Sequence, residues 1–176
     1  MVSLRIVDFS ADYLRQVKDF DCGSEDWAVW AANWIKNAPP FPSALLSMDQ
    51  YGTRVWLYFL FVETLGEEFL VGFASLGITN WSISELQASK RVPGLIPMLA
   101  VATSFQGKSA DTKGTRYSHL IMQDVISKAC EYGLSDLCLS VHPKNRRAIR
   151  LYEQFGFRQI EGADAHGNLR MHKSLA

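Results

Sequence analysis

The chain has 176 residues, 48% of them apolar, with ten Phe, six Tyr and five Trp, which is enough for one buried core and predicts a single domain over residues 1–176. Lys and Arg number 18 and Asp and Glu also number 18, so no net field marks duplex DNA or an anionic membrane as a partner, while a local basic patch stays open. Cys22, Cys130 and Cys138 lack CxxC spacing and read as reduced thiols with no metal site; MVSLRIVDFS lacks a leader's apolar core, no run reaches the ~18 apolar residues of a bilayer span, and the expectation is a soluble, cytoplasmic protein.

Leu4, Ile6 and Val7 predict a first strand over 3–9, after which Ser10 is placed to cap a helix from Ala11 to near Cys22. A second helix begins near Ser24, carries Trp27, Trp30, Ala31 and Trp34 at spacings of three and four, and has to stop before Pro39-Pro40. Two β-rich runs, VWLYFLFVE and EFLVGFASL, flank Leu65-Gly66-Glu67 and predict an antiparallel hairpin. Residues 80–94 read as a loop with a short helical piece, and LIPMLAVA, 95–102, as a central strand. A polar loop over 103–114, an amphipathic helix over 115–132 and the strand LCLSVH at 137–142 then make a strand–loop–helix–strand unit. A helix over 145–155 ends at Gly156, and FRQIEG and LRMHKSL close the chain as strands around turn residues 164–168.

The segment VHPKNRRAIRLYEQFGF, 141–157, is the most specific signal. Pro143 stops the strand, and Asn145, Ala148 and Tyr152, spaced three and four, fall near one face of the next helix. On that reading alone Tyr152 is either a site phenol or a core residue, and Asn145 either a polar contact or a helix cap. The segment resembles the last block of the GNAT N-acetyltransferase superfamily. The resemblance implies that Tyr152 is the general acid protonating the coenzyme A thiolate, and that Asn145 bonds the pantetheine arm. A phenol of unperturbed pKa ~10 is a reasonable donor to a thiolate whose conjugate acid lies near ~8.5.

A second segment, LAVATSFQGK at 99–108, is similar to the GNAT strand and pyrophosphate loop. There the resemblance implies backbone contacts to pantetheine from Leu99 and Val101, and a phosphate cradle from Gln106, Gly107, Lys108, Gly114, Thr115 and Arg116 running into a helix N-terminus. The sequence departs from the pattern after Lys108: Ser109-Ala110-Asp111-Thr112-Lys113 replaces the usual Gly-x-Gly and lengthens the loop by about five residues, a small cost in closure entropy. Lys108, Lys113 and Arg116 are placed to pair with phosphates instead; the alternative is a cradle emptied by the insertion.

The acceptor is a small-molecule or peptide amine that no motif identifies. Its ammonium has to lose a proton, for which Glu63, Glu68, His119 and His142 are candidates with none assigned. The opening DFDCGSEDWAVWAANW, 19–34, is similar to a segment of GNAT toxins that acetylate aminoacyl-tRNA, which makes charged tRNA the one nucleic-acid partner to consider. Arg146, Arg147, Arg150 and Arg158 form a basic cluster that reads as a solvated helix face, and the Trp stripe reads as core or homodimer contact in preference to a base-stacking platform. A non-catalytic acyl-CoA-binding module is the rival of a different class.

The resemblance predicts an α/β (α+β) fold, a GNAT-like central mixed, mostly antiparallel sheet of six to seven strands with helices on both faces, splayed after the LIPMLAVA strand. Acetyl-CoA enters the splay as co-substrate, and a bound amine attacks its thioester directly. Cys130 and Cys138 read as apolar-set thiols without an adjacent His, so no Cys nucleophile and no metal take part.

Overall fold

The computed structural model describes residues 2–37, 53–78 and 93–175. The strands are β1 (Val2–Asp8), β2 (Thr53–Val62), β3 (Glu67–Ile78), β4 (Pro93–Leu95), β5 (Leu99–Val101), β6 (Asp136–Val141), β7 (Arg158–Ala163) and β8 (Leu169–Ser174). The helices are α1 (Leu14–Val17), α2 (Asp26–Asn37), α3 (Tyr117–Glu131) and α4 (Arg146–Gln154). All eight strands form one sheet in the order β1-β2-β3-β4-β6-β8-β7, with β5 also paired to β3. Every pairing is antiparallel except β4 with β6, which runs parallel.

Both faces of the sheet are covered, which is why VWLYFLFVE is apolar without alternation. Val55, Leu57 and Phe59 of β2 point into a core shared with α1 and α2, while Trp56 and Tyr58 point into the other, shared with α3 and α4. On that second face the Tyr58 hydroxyl donates to Asp124 of α3 at 2.6 Å, and Asp124 accepts from Lys128 at 2.6 Å, satisfying a phenol that burial would otherwise leave bare.

The run LIPMLAVA is not one continuous strand. Pro97 has no N–H to give the ladder, so the strand breaks into β4 and β5. Ile96 N–H still reaches Cys138 O at 2.9 Å. Ser75, fully buried on β3, bridges the break: its N–H donates to Met98 O at 2.9 Å, and its Oγ accepts from Met98 N–H at 2.9 Å. Beyond Ile96 the chain follows β3 alone, while β6 carries on beside β8, and a wedge opens between β5 and β6. The splay therefore falls inside the LIPMLAVA run, at Pro97.

The helix expected from Ala11 to Cys22 is shorter: a 3₁₀ turn at Ala11–Tyr13 and one α-turn at Leu14–Val17. Ser10 makes no cap bond to the backbone; its hydroxyl donates to Asp12 at 3.3 Å. In α2 the buried face is Ala28, Ala31, Ala32 and Ile35, and the tryptophans flank it in three separate roles. Trp34 stacks on Phe73, Trp27 stacks on His142, and Trp30 is 62% exposed. The loop expected at 80–94 falls almost wholly outside the described residues. Cys22 and Cys138 are buried, whereas Cys130 is exposed at the end of α3, contrary to the apolar setting expected for it.

Candidate active site

Even-numbered residues around β5 spend their backbone on β3, as Ala102 N–H does on Val71 O at 2.7 Å. By the alternation of an antiparallel ladder, Leu99 and Val101 turn their N–H groups the other way, into the wedge. A cavity of ≈ 1120 Å³ occupies it, and Leu99, Val101, Gln106, Gly107, Asn145 and Tyr152 are among its walls. An unpaired strand edge facing a cavity is a row of backbone groups that a ligand can bond.

Tyr152 sits in this wall with 7% of its surface exposed, edged by Phe157 at 5.9 Å. Burial pushes its phenol up to about 12. Asn145 is the cap of α4, its Oδ1 accepting from Ala148 N–H at 3.1 Å; the cap role and the cavity position coexist, because the amide nitrogen is left uncommitted. The Pro143 break and the 3.6-residue period put both groups on the cavity side of α4.

The loop residues divide. Gln106 lines the cavity, but its side chain is spent: Nε2 donates to Cys22 O at 2.7 Å and to Val101 O at 3.0 Å, and Oε1 accepts from Arg147 at 2.7 Å. It clamps the loop to α4 and to the segment before α2, where Thr103 also bonds Asp21 at 2.8 Å. Gly107, at φ 73°, makes the turn at the cavity. Gly114 and Thr115 lie with Arg116 in an adjoining side pocket, and Arg116 faces both spaces. Lys108 is exposed and lines neither. The helix expected to open at Thr115 begins at Tyr117, with Arg116 at the cap position making no side-chain cap bond.

Of the base candidates, Glu68 is paired with Arg5 on β1, with a 2.5 Å contact, and Glu63 is exposed in the hairpin turn; neither lines the cavity. His119 and His142 do. His142 Nδ1 accepts from Lys144 N–H at 3.2 Å, so the neutral ring carries its proton on Nε2 and acts as a donor. His119 Nε2 meets Gln154 Oε1 at 3.0 Å, so it also carries hydrogen there. His142 therefore has no free acceptor nitrogen, whereas His119 keeps Nδ1 as a buried acceptor without a partner.

The first two helices were expected to help bind the acceptor, but no site residue was picked out from the sequence at the end of the cavity against α2. Glu25, Asp26 and Trp30 line the cavity, and so do Arg146, Arg147 and Arg150 of α4. Acids in a helix's first turn look like macrodipole partners, and arginines along a helix like its wet face, so neither announced a cavity. Cys22 also lines it, but burial lifts its thiol to about 11, and it donates to Ala28 O at 3.2 Å, which makes it inert. Among the described residues no cluster of His, Cys, Asp and Glu is arranged to hold a metal ion, and no helix is long and apolar enough to cross a membrane.

A mostly antiparallel sheet splayed at one parallel pair, with a strand–loop–helix unit beside the wedge, is the GNAT architecture. The chain matches the model of the acetyltransferase (GNAT) family over residues 26–157 and belongs to that family. No curated protein matches it in sequence. Among solved structures it is similar to a bacterial toxin at TM-score 0.67 and 17% identity, over 99% of this chain and 92% of that one. It is similar also to the PaiA N-acetyltransferase of Thermoplasma acidophilum in complex with coenzyme A, at TM-score 0.63 and 14% identity, over 98% and 99%. A third likeness is to a chain of the NatC complex bound to Gag peptide and coenzyme A, at TM-score 0.62 and 14% identity, over 99% of each chain.

Proposed function

We propose that the protein is an N-acetyltransferase that moves the acetyl group of acetyl-CoA onto a primary amine by direct attack. The observation that carries this reading is the free edge of β5 along a cavity that also holds the Tyr152 phenol. Pantetheine lies along Leu99 and Val101 as an added strand. The amine nitrogen attacks the thioester carbon, a strand N–H holds the developing oxyanion, and the C–S bond breaks as the C–N bond forms. One ammonium proton leaves to solvent before attack; the thiolate takes its proton from Tyr152, and the phenolate is restored by the second proton, which the nitrogen sheds through water as the amide forms. The coenzyme A bound in the PaiA and NatC structures supports the cofactor. The site works in the cytoplasm on a soluble or peptide amine.

A second reading, acetylation of the α-amine of charged tRNA, is favoured by Arg146, Arg147 and Arg150 on the cavity rim and by the likeness to a bacterial toxin. Glu25 and Asp26 at the α2 end oppose it, since they repel phosphates.

Calorimetric titration with acetyl-CoA is the test. Micromolar binding, followed by acetylation of a small amine, a peptide N-terminus or a charged tRNA, supports the reading and chooses among the acceptors. Absence of binding up to millimolar acetyl-CoA sinks it and leaves the fold as an interaction module.

A further inference from the structure

The turn between β7 and β8 is built on one carboxylate. Asp164 Oδ1 accepts from the backbone N–H groups of His166 at 2.8 Å and Asn168 at 2.9 Å, and Oδ2 accepts from Asn168 Nδ2 at 3.0 Å. Burial alone would raise this carboxyl, but the hydrogen bonds it accepts, first among them those from Asn168, hold it down at about 2, so at neutral pH it is an anion. A carboxylate only accepts, and that settles how the Asn168 amide lies. Nδ2 faces Asp164, and Oδ1 is turned away from it with no partner among the described residues.

His142 is fixed in the opposite sense. Its Nδ1 accepts from Lys144 N–H, its ring is stacked on Trp27 with centres 4.8 Å apart, and its Nε2–H has no partner among the described residues. Leu137, Leu139 and Val141 of β6 point into the core shared with α3 and α4, so strand alternation turns His142 to the other face, where α2 lies. β6 and β8 pair as far as Val141 opposite Leu169, which makes His142 and Asn168 the next opposed residues, and directly opposed side chains share a face. Both line the cavity. A fixed donor beside a fixed acceptor, both uncommitted, matches one C=O and one N–H of an extended backbone.

We propose that His142 and Asn168 are the positioning pair for a peptide N-terminus. The carbonyl oxygen of the first residue accepts from His142 Nε2–H, the N–H of the second residue donates to Asn168 Oδ1, and the free α-amine reaches the thioester. The inference rests on the acetyltransferase reading, in which sulfur leaves toward Tyr152 on the α3 and α4 side and the amine arrives from the side of α2. It separates the acceptor classes: an aminoacyl ester has the carbonyl but lacks the N–H, and an alkylamine has neither.

The test is acetylation of alanine N-methylamide, alanine methyl ester and isopropylamine by the unaltered protein, with KM expressed per free amine. KM is expected to rise about three- to tenfold at each step of that series, the range that one net hydrogen bond gives. His142→Phe, which keeps a ring on Trp27, raises KM for the amide and the ester by the same factor and closes the gap between the ester and isopropylamine; a merely structural role would preserve that gap. Equal KM values across the series overturn the inference while leaving the acetyltransferase standing. An ester as good as the amide overturns it too, and moves the acceptor to the aminoacyl-ester class. A gap that survives His142→Phe overturns the role of His142. Bound acetyl-CoA with none of the three amines acetylated also overturns the inference, whereas acetyl-CoA that fails to bind brings down the proposed function and this inference with it. If His142→Phe does not fold, the series on the unaltered protein decides alone.

Discussion

Tyr152 carries the sharpest prediction at the level of single residues. Its ring is packed in the core, so Tyr152→Phe keeps the packing and removes only the hydroxyl. We expect kcat to fall about 10²- to 10⁴-fold, the usual contribution of a general acid, with coenzyme A affinity unchanged. Unaltered turnover in the Phe variant would pass the role to another group. Burial also fixes a sign: a phenol raised to about 12 holds its proton more tightly folded than unfolded. Its contribution to stability is present below pH ~10 and is lost as pH rises through the folded value, so an alkaline limb in kcat below pH ~11 belongs to a different group. Position and type of this residue were legible because Pro143, the cap and the helix period are local signals. What was illegible is occupancy. Gln106 sits where a phosphate contact was expected, yet three hydrogen bonds, two of them long-range, consume its side chain, and no spacing rule encodes a bond to Cys22 O, 84 positions away.

Between elements, the wedge depends on a repair. Pro97 removes one ladder donor, and Ser75 Oγ receives the Met98 N–H that would otherwise be left bare in a fully buried place. Ser75→Ala strands that N–H, and we expect a loss of about 1–3 kcal/mol in denaturant unfolding together with weaker acetyl-CoA binding, because β5 is released from its register on β3. A variant as stable as the parent would show that the ladder heals without the hydroxyl. Most elements were readable from period and punctuation, since β2, β3, α3 and α4 all carry strong local patterns. The two that were misread have physical reasons. LIPMLAVA has the composition of one strand, and its break shows only when Pro97 is set against a particular partner. The first helix has a cap-like Ser10, but the chain leaves the helix after Val17, and Phe20 turns down onto Phe73, 5.3 Å away, so tertiary packing overrides a weak propensity.

At the scale of the molecule, the sheet is nearly two sheets. β1, β2, β3 and β5 form one half and β6, β8 and β7 the other, joined through β4 and the Ile96–Cys138 bond. On one face α3 and α4 share a continuous core with strands of both halves; near the cavity, α2 reaches the second half through the stack of Trp27 on His142, with ring centres 4.8 Å apart. A cofactor seated in the wedge would touch both halves, adding contacts where backbone pairing is absent, and would bind the unfolded chain nowhere. Linkage then sets the size of the effect: coenzyme A at a hundred times its dissociation constant stabilises the native state by about 2.7 kcal/mol, or ~5–11 °C in a chain of this length. Thermal unfolding followed by Trp fluorescence with increasing coenzyme A should show one transition moving upward with the logarithm of concentration. Two transitions, with only the earlier one moving, would mean that the halves unfold separately and that coenzyme A is held by one of them, in which case the wedge is a gap beside the cofactor site and not the site itself.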